Sequence, residues 1–325
     1  MIFALTILFF IYLTAISSAS CKLYYCNNAP TIISASKNAI LGDTIVVEKV
    51  CRIDLTGYVI NLSKGVTIKG NSIEDNRPVL YKTKADGLPI IDCIGGDVAI
   101  SNIVFSGPDS NFKAQFYDSL SKLDKKEFYK YKPSKGINSN FDNIKISNCE
   151  LKYFSHAGIA FYNPTNSITK SNSVSNCYIH DNYRPGLGYG IANDNTKCII
   201  YNNYFNANRH AVQGTGRPLT SYIVINNIIG SKSFGHIFDM HGGFDRKDKT
   251  NIAGGTIVVF GNLNLCANQP FVKLRGIPQQ CAIVFNNITF TENSKWVIMQ
   301  LHEKGRLICF ANSIFHGAKS ISNEK

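Results

Sequence analysis

The chain repeats one pattern of apolar and polar positions from its first quarter to its end. A short run of alternating apolar and polar residues leads to an asparagine, and a second such run follows. The asparagines that mark the pattern are Asn71, Asn102, Asn148, Asn176, Asn203, Asn227, Asn262, Asn287 and Asn312. Subtracting successive positions gives intervals of 31, 46, 28, 27, 24, 35, 25 and 25 residues. A minimum near 24 residues with a few longer intervals is typical of a solenoid with loop insertions.

Each repeat is predicted to consist of short strands, because the alternation has the two-residue period of a strand and many apolar residues are β-branched. Short strands at this interval predict an all-β fold, a right-handed parallel β-helix of about 9–10 coils. At a tight turn, asparagine tolerates left-handed dihedral angles, and its amide can bond the equivalent asparagine of the next coil. We therefore expect a buried asparagine ladder. Asn61 and Asn287 also begin glycosylation sequons, and at Asn287 the ladder role is favoured.

The chain is predicted to contain a leader and one folded domain. Residues 1–20 combine an apolar run with small residues, which predicts a cleaved signal peptide; a retained anchor and lipidation at Cys21 are the alternatives. Residues 21–325 form the β-helix domain, with insertions at about 108–135 and 243–254 in the two longest intervals. Within the first insertion, Asp118 caps a predicted helix over residues 118–128. No later segment is long and apolar enough to span a bilayer, so no membrane insertion is expected after leader removal.

Composition and charge predict an extracellular protein with an acidic partner. The chain has 325 residues, 44% of them hydrophobic, which is enough for a sizeable core, and a net charge of +12. In a protein that is secreted or held at the cell surface, this charge favours an acidic polysaccharide as partner, and the leader argues against nucleic acid. The alternative is that the excess lysine only keeps the surface soluble. A monomer is expected.

All ten cysteines follow the leader, and this even number predicts disulfides in an oxidising compartment. Cys21 and Cys26 are close enough in sequence to tie down the mature N-terminus. Buried unpaired thiols are the alternative for cysteines inside strands, such as Cys149, Cys177 and Cys198. No pair has Cys-x-x-Cys spacing, so no zinc site of that kind is predicted. No cofactor is predicted, and no set of acidic ligands indicates Ca²⁺.

A second strand in each coil is expected to stack in the same way and to bring distant segments together. Side chains alternate between the two faces of a strand. The residues predicted to point inward are Ile191, Val212, Met240 and Leu274. The neighbours predicted on the exposed outer face are Ala192, Gln213, Asp239, His241, Lys273 and Arg275. Adjacent coils lie ~4.8 Å apart, so this face can contact successive sugar units; a plain row of surface salt bridges is the alternative.

Five further side chains belong to the predicted site. Arg209 and His210 precede Gln213 and are expected at the groove edge, where a histidine can act as a general base. Tyr189 lies between two glycines, which lets its ring and hydroxyl reach a ligand; an aromatic stack on a neighbouring coil is the alternative. His180 and Arg246 are additional substrate-binding candidates. A structural role is the alternative for each histidine.

These residues carry a resemblance to the secreted right-handed β-helix proteins of the pectin-lyase-like superfamily. The chain is similar to a group whose shared strings here occupy residues 180–190, 208–210 and 238–243, which read HDNYRPGLGYG, NRH and FDMHGG. Residues 245–248 and 251–254 match the loop that follows. The resemblance covers about residues 40–315 and implies a protein that cleaves or binds polysaccharide. The aspartate pair of polygalacturonase-like hydrolases and the acidic calcium ligands of pectate lyases are absent.

The leading hypothesis is a polysaccharide lyase that acts by β-elimination. The reaction needs a cation to neutralise the uronate carboxylate, a base for the C5 proton and an acid for the leaving oxygen. The assigned roles are neutralisation by Arg275, Lys273 or Arg209, proton abstraction by His241 or His210, proton donation by Tyr189, and orientation of His241 by Asp239. Two alternatives stay open: a glycoside hydrolase that pairs Asp239 with Asp194 or Asp181, and a non-catalytic glycan-binding or cell-surface adhesion protein.

Overall fold

The computed structural model describes residues 21–73, 76–110, 131–165, 167, 170–293 and 297–316. In these residues the backbone winds into a right-handed parallel β-helix, which confirms the predicted fold class. The strands form three parallel sheets, called sheets I, II and III here in the order in which a coil visits them, with 11, 10 and 9 strands.

The three sheets are built from the following strands. Sheet I contains β1 (Leu23–Cys26), β2 (Thr44–Val47), β5 (Thr67–Gly70), β8 (Ala99–Ser101), β11 (Lys145–Ser147), β14 (Asn172–Ser175), β17 (Lys197–Tyr201), β20 (Ser221–Ile225), β23 (Thr256–Phe260), β26 (Cys281–Phe285) and β29 (Leu307–Phe310). Sheet II contains β3 (Arg52–Asp54), β6 (Val79–Tyr81), β9 (Val104–Ser106), β12 (Glu150–Lys152), β15 (Tyr178–His180), β18 (Tyr204–Asn206), β21 (Ile228–Ile229), β24 (Leu263–Asn264), β27 (Ile288–Thr291) and β30 (Ser313–His316). Sheet III contains β4 (Ile60–Leu62), β7 (Pro89–Cys93), β10 (Lys135–Ser139), β13 (Ala157–Tyr162), β16 (Tyr189–Asp194), β19 (His210–Gly214), β22 (Phe238–Met240), β25 (Val272–Leu274) and β28 (Ile298–Gln300).

The core is a set of columns in which equivalent apolar residues of successive coils lie one above another. One column of sheet I is no more than 1% exposed along its length and consists of Ile146, Val174, Ile200, Val224, Val259 and Val284. Burying one such side chain contributes about 1.5–3 kcal/mol. The stacked columns therefore stabilise the solenoid, and they leave the outward positions of each strand free to vary.

The predicted asparagine ladder is present from Asn203 onward. The side-chain Nδ2 of each ladder residue donates to Oδ1 of the next one at 2.9–3.0 Å, and the members are Asn203, Asn227, Asn262, Asn287 and Asn312. Asn287 is 1% exposed, so the ladder role explains this residue. The ladder satisfies buried amides that would otherwise cost free energy.

The other marker asparagines have a different role from the ladder residues. Asn102, Asn148 and Asn176 have positive φ angles of 60°, 53° and 52°, so they supply the left-handed turn that asparagine adopts more readily than most residues. The residue after each of these asparagines is apolar or a cysteine and lies at the position that the ladder asparagine has in later coils. The last of them, Cys177, donates its backbone N–H to Asn203 Oδ1 at 3.0 Å. Asn71 donates to Glu48 instead. The marker asparagines, expected to stack in one column, therefore belong to two neighbouring columns, one of turn residues and one of ladder residues.

The cysteines and the helices complete the described structure. All ten cysteines are free thiols, so the structure contains none of the predicted disulfides. Cys149, Cys177 and Cys198 are buried, and a buried thiol packs as a small apolar group. Helix α1 (Ala29–Asn38) lies in the first coil, and helix α2 (Gly243–Arg246) lies between β22 and β23. The signal peptide and the helix predicted at 118–128 lie outside the described residues. No helix in the described residues is long and apolar enough to cross a membrane.

Candidate active site

One outward position of sheet III changes from small to polar over five consecutive coils. Strand pairing places Ala160 beside Ala192, Ala192 beside Gln213, Gln213 beside Asp239, and Asp239 beside Lys273. Parallel coils repeat every ~4.8 Å. The two alanines pack with Tyr189 and Leu187 and precede the polar group at Gln213, Asp239 and Lys273 along the sheet.

Asp239 is the centre of this group and is fully buried. Arg275 holds the carboxylate with two hydrogen bonds, from Nε to Oδ1 at 3.1 Å and from Nη2 to Oδ2 at 2.7 Å. Arg275 Nη1 also donates to Asp245 at the start of α2, at 3.1 Å. Asp239 is 0% exposed and Gln213 only 4%. The expectation that both lie on an exposed face is therefore wrong, because facing away from the coil interior does not prevent covering by neighbouring side chains.

Three histidines converge on the same carboxylate. Nε2 of His210 lies 3.6 Å and Nε2 of His241 lies 3.1 Å from Asp239 Oδ2, and Nδ1 of His236 lies 3.8 Å from Oδ1. Each of these nitrogens is buried and has no hydrogen-bond partner. Burial alone would raise the pKa of Asp239, but the close approach of His236 and His241 and the charges around it hold that pKa well below its usual range. Asp239, Arg275 and the three histidines are called the Asp239 cluster below.

His210 lies inside the cluster and not at an open groove edge. Its Nδ1 donates to the backbone carbonyl of His236 at 2.6 Å, and its ring stacks on Tyr189 with centroids 5.6 Å apart. The residue is 0% exposed, and this burial lowers its pKa to about 3. The ring is therefore neutral and out of reach of a polysaccharide, so its assignment as the base is not supported by its position.

His236 was not among the predicted site residues. It lies just before β22, its ring stacks on His210 with centroids 5.2 Å apart, and its Nε2 is 2.9 Å from Lys273 Nζ. Burial and the neighbouring charge of Arg275 lower the pKa of Lys273. Because His236 lies in a turn, the alternation of strand residues did not include it. Its spacing of three residues from Asp239 was the one feature of the sequence that could have indicated its place in the site.

Tyr189 and Arg209 form the edge of the site nearest Ala160 and Ala192. The Tyr189 hydroxyl donates to the carbonyl of Gly186 at 2.9 Å, and Arg209 Nη1 approaches that hydroxyl at 3.4 Å. Burial raises the pKa of Tyr189 although the charge of Arg209 opposes this. The Tyr189 ring thus stacks on His210 of the next coil, and its hydroxyl lies beside Arg209, which is partly exposed.

Two predicted substrate-binding residues are engaged elsewhere. His180 ends β15 on sheet II, where its Nδ1 lies 2.6 Å from Asp181 and its Nε2 lies 3.2 Å from Glu150. Arg246 donates to the backbone carbonyls of Thr215 and Ile252 at 3.1 and 3.0 Å. His180 is therefore separated from the Asp239 cluster, and Arg246 anchors the loop after α2.

The carboxylates proposed for a hydrolase are not arranged as an acid and a base. Asp239 is buried, and its low pKa makes it a poor proton donor. Asp194 accepts a hydrogen bond from Thr215 and lies 3.4 Å from Arg217. Asp181 is bound to His180 beside sheet II.

Comparison with solved structures finds the same fold in several proteins of low sequence identity. The alginate lyase from Paenibacillus sp. str. FPU-7 has 15% identity and a TM-score of 0.60 over 91% of this chain and 98% of its own. Pectate lyase Pel9A has 11% identity and a TM-score of 0.55 over 92% and 78%. A hyperthermoactive exopolygalacturonase from Thermotoga maritima has 13% identity and a TM-score of 0.53 over 88% and 74%. The chain shares the parallel β-helix fold of these proteins. No family model and no curated protein sequence matches it, so its reaction has to be argued from its own residues.

Proposed function

We propose that this pectin-lyase-like protein is an enzyme that cleaves an acidic polysaccharide by β-elimination. The observation that carries the proposal is the partly exposed imidazole of His241 held 3.1 Å from the buried carboxylate of Asp239, beside the cations Lys273 and Arg209. Two of the similar structures are lyases by name, one an alginate lyase and one a pectate lyase, and this supports the choice of reaction.

The cations of the site match an acidic substrate. Lys273 and Arg209 are partly exposed, and neither forms an ion pair among the described residues. Arg275 is instead bound to Asp239 and Asp245, so its part is to hold Asp239. We therefore assign neutralisation of the uronate carboxylate to Lys273 and Arg209, because neutralising that charge makes the C5 hydrogen more acidic.

His241 is the base in this proposal. Its Nε2 is the ring nitrogen nearest Asp239, which favours the proton on Nε2 and leaves a lone pair on Nδ1. The side chain is 25% exposed, compared with 1% for His210. When Nδ1 takes the C5 proton, the carboxylate of Asp239 stabilises the resulting imidazolium, as a carboxylate does in other oriented histidine bases.

The remaining step breaks the glycosidic bond. The electron pair of the C5–H bond forms the C4–C5 double bond, and the bond between C4 and the glycosidic oxygen breaks. The leaving oxygen receives the hydroxyl proton of Tyr189, which exchanges its present acceptor, the Gly186 carbonyl, for that oxygen. Arg209 beside the hydroxyl stabilises the phenolate until solvent returns the proton. The products are an unsaturated uronide and a chain with a new hydroxyl end.

The test is an absorbance assay for unsaturated uronides on pectate, alginate and glycosaminoglycans. We expect product on at least one of them and a loss of about 10²–10⁴-fold in kcat for His241→Gln, the contribution typical of a general base. His302→Gln is the matched control, because His302 is exposed and stacks on Phe244. Folded protein that releases no unsaturated product from any of these polymers would refute the proposal. Reducing ends without unsaturation would indicate a hydrolase, and glycan binding without product would indicate an adhesion protein.

A further inference from the structure

The Asp239 cluster contains a buried lone pair that faces a negative charge. His210 Nδ1 bonds a backbone carbonyl, which can only accept, so Nδ1 carries the hydrogen. In the neutral ring Nε2 therefore holds a lone pair. This atom is buried, has no hydrogen-bond partner and lies 3.6 Å from Asp239 Oδ2. A lone pair beside a buried carboxylate is repulsive unless a cation lies between the two.

His236 presents a second orphan nitrogen to the same carboxylate. Its Nδ1 is buried without a partner, 3.8 Å from Asp239 Oδ1. The His210 and His236 rings are nearly parallel, at 11°. The ligand atoms of His210, His236 and Asp239 all lie within 4.8 Å of one another. Two imidazole nitrogens and a carboxylate oxygen thus surround one point.

We propose that His210, His236 and Asp239 bind a divalent first-row transition-metal ion. The site goes beyond the proposed function and does not depend on it. Zinc forms bonds of about 2.0–2.2 Å to these donor types, which places tetrahedral ligand atoms ~3.4 Å apart. The separations of 3.6 Å from His210 Nε2 to Oδ2 and of 3.8 Å from His236 Nδ1 to Oδ1 are near that value. Because the ligand atoms lie up to 4.8 Å apart, the cluster needs to contract by about 1.4 Å at its widest.

The surroundings are those of a metal site. The bond from His210 Nδ1 to a backbone carbonyl fixes the tautomer that leaves Nε2 free to ligate, which is the usual outer-shell contact of ligating histidines. Arg275 occupies one edge of Asp239 and fixes its orientation. His236 is partly exposed, so an ion can enter from the groove. Imidazole donors suit zinc and its first-row neighbours, whereas Ca²⁺ takes six to eight oxygen ligands.

Metal binding is expected to weaken as the pH falls. The Lys273 ammonium donates to His236 Nε2, which leaves the ring hydrogen on Nδ1, the ligand atom. When Nδ1 binds the ion, the ring hydrogen moves to Nε2 through solvent, and the Lys273 ammonium turns away from the ring and keeps its charge. Protons compete with the ion for the imidazole lone pairs, so lowering the pH weakens binding.

The experiment is a calorimetric titration of Zn²⁺ into protein that carries no histidine tag and has been stripped with a chelator. We expect saturable binding of one ion per chain in the absence of any polysaccharide, with Ca²⁺ unable to compete. Zn²⁺ at about 100 times its Kd should raise the Tm by about 5 °C. Anomalous scattering at the zinc edge should give a peak between the ligand atoms of His210, His236 and Asp239.

Variants separate this site from adventitious binding. His210→Gln should weaken Zn²⁺ binding by about 100-fold or more, and His302→Gln should leave it unchanged. If His210→Gln does not fold, His236→Gln is the equivalent change at a partly exposed position. Absence of saturable binding, equal binding by the His210 or His236 variant, or an anomalous peak at another site would overturn the proposal. So would a ¹⁵N NMR spectrum showing both His210 nitrogens protonated in the metal-free protein, because a proton would then be the missing cation.

Discussion

Replacing Arg275 with methionine should destabilise the protein far more than loss of a surface ion pair. The change leaves the carboxylate of Asp239, which is 0% exposed, without the guanidinium that donates two hydrogen bonds to it. Removing one partner of a buried ion pair costs about 3–5 kcal/mol. We take about 3 kcal/mol, the lower end of that range. At about 2–4 °C per kcal/mol, the Tm falls by about 6–12 °C.

Thermal unfolding followed by circular dichroism, with a chelator in the buffer to exclude metal effects, measures this shift. Arg217→Met is the matched control, because Arg217 is 46% exposed and lies 3.4 Å from the partly exposed Asp194, a pair worth at most about 1 kcal/mol. Adding Asp239→Asn to Arg275→Met removes the unpaired charge and should restore much of the loss. Equal shifts for the two arginine variants, or no restoration in the double variant, would refute the reasoning.

Three other outcomes are expected. Asn262→Leu removes the oxygen that accepts hydrogen bonds from the backbone N–H and the side-chain Nδ2 of Asn227. Leaving each buried donor unpaired costs about 1–3 kcal/mol, so the unfolding midpoint in denaturant should fall. In a thiol titration, the exposed Cys21 and Cys309 should react first in the native protein, and the six buried thiols only after unfolding. Burial opposes ionisation of His180, but its two flanking carboxylates raise its pKa overall; its charge therefore stabilises the fold below about pH 6.5, and this stability is lost as the pH rises through the raised pKa. The Tm difference from His180→Gln should shrink accordingly. An unchanged midpoint, uniformly reactive thiols or a pH-independent difference would contradict the respective argument.

The repeat pattern predicted the fold because a solenoid buries the same strand positions in every coil. It could not separate the two asparagine roles, since Asn176 and Asn203 occur in nearly the same local sequence. Asn176 has the left-handed φ of 52°, whereas Asn203 is the buried amide that starts the ladder. Of two adjacent residues, one adopts the left-handed turn and the other is buried, and contacts with the neighbouring coil decide between them. In the coil before Asn203, Cys177 occupies the position of a ladder asparagine.

The alternation of side chains placed Gln213, Asp239 and Lys273 on the outer side of sheet III but gave no information on what covers them. Asp239 became buried because Arg275, from the next coil, folds back over it. His236 escaped prediction because it lies in a turn, outside any strand period. These are contacts between coils, and a pattern read along one coil does not contain them.

The same independence of coils explains how a site arises on this fold. The inward neighbours of the polar group, Val212, Phe238, Val272 and their equivalents, keep the core closed whatever their outward neighbours are. Substitution at one outward position can therefore replace an alanine by a charged residue without altering the coil. Since Ala160, Ala192, Gln213 and Asp239 follow one another along the helix axis, a polysaccharide bound along this face of sheet III would run along that axis. Its successive sugars would meet Tyr189 and Arg209 before His241 and Lys273, and this order places the bond to be cleaved between the proposed acid and the proposed base.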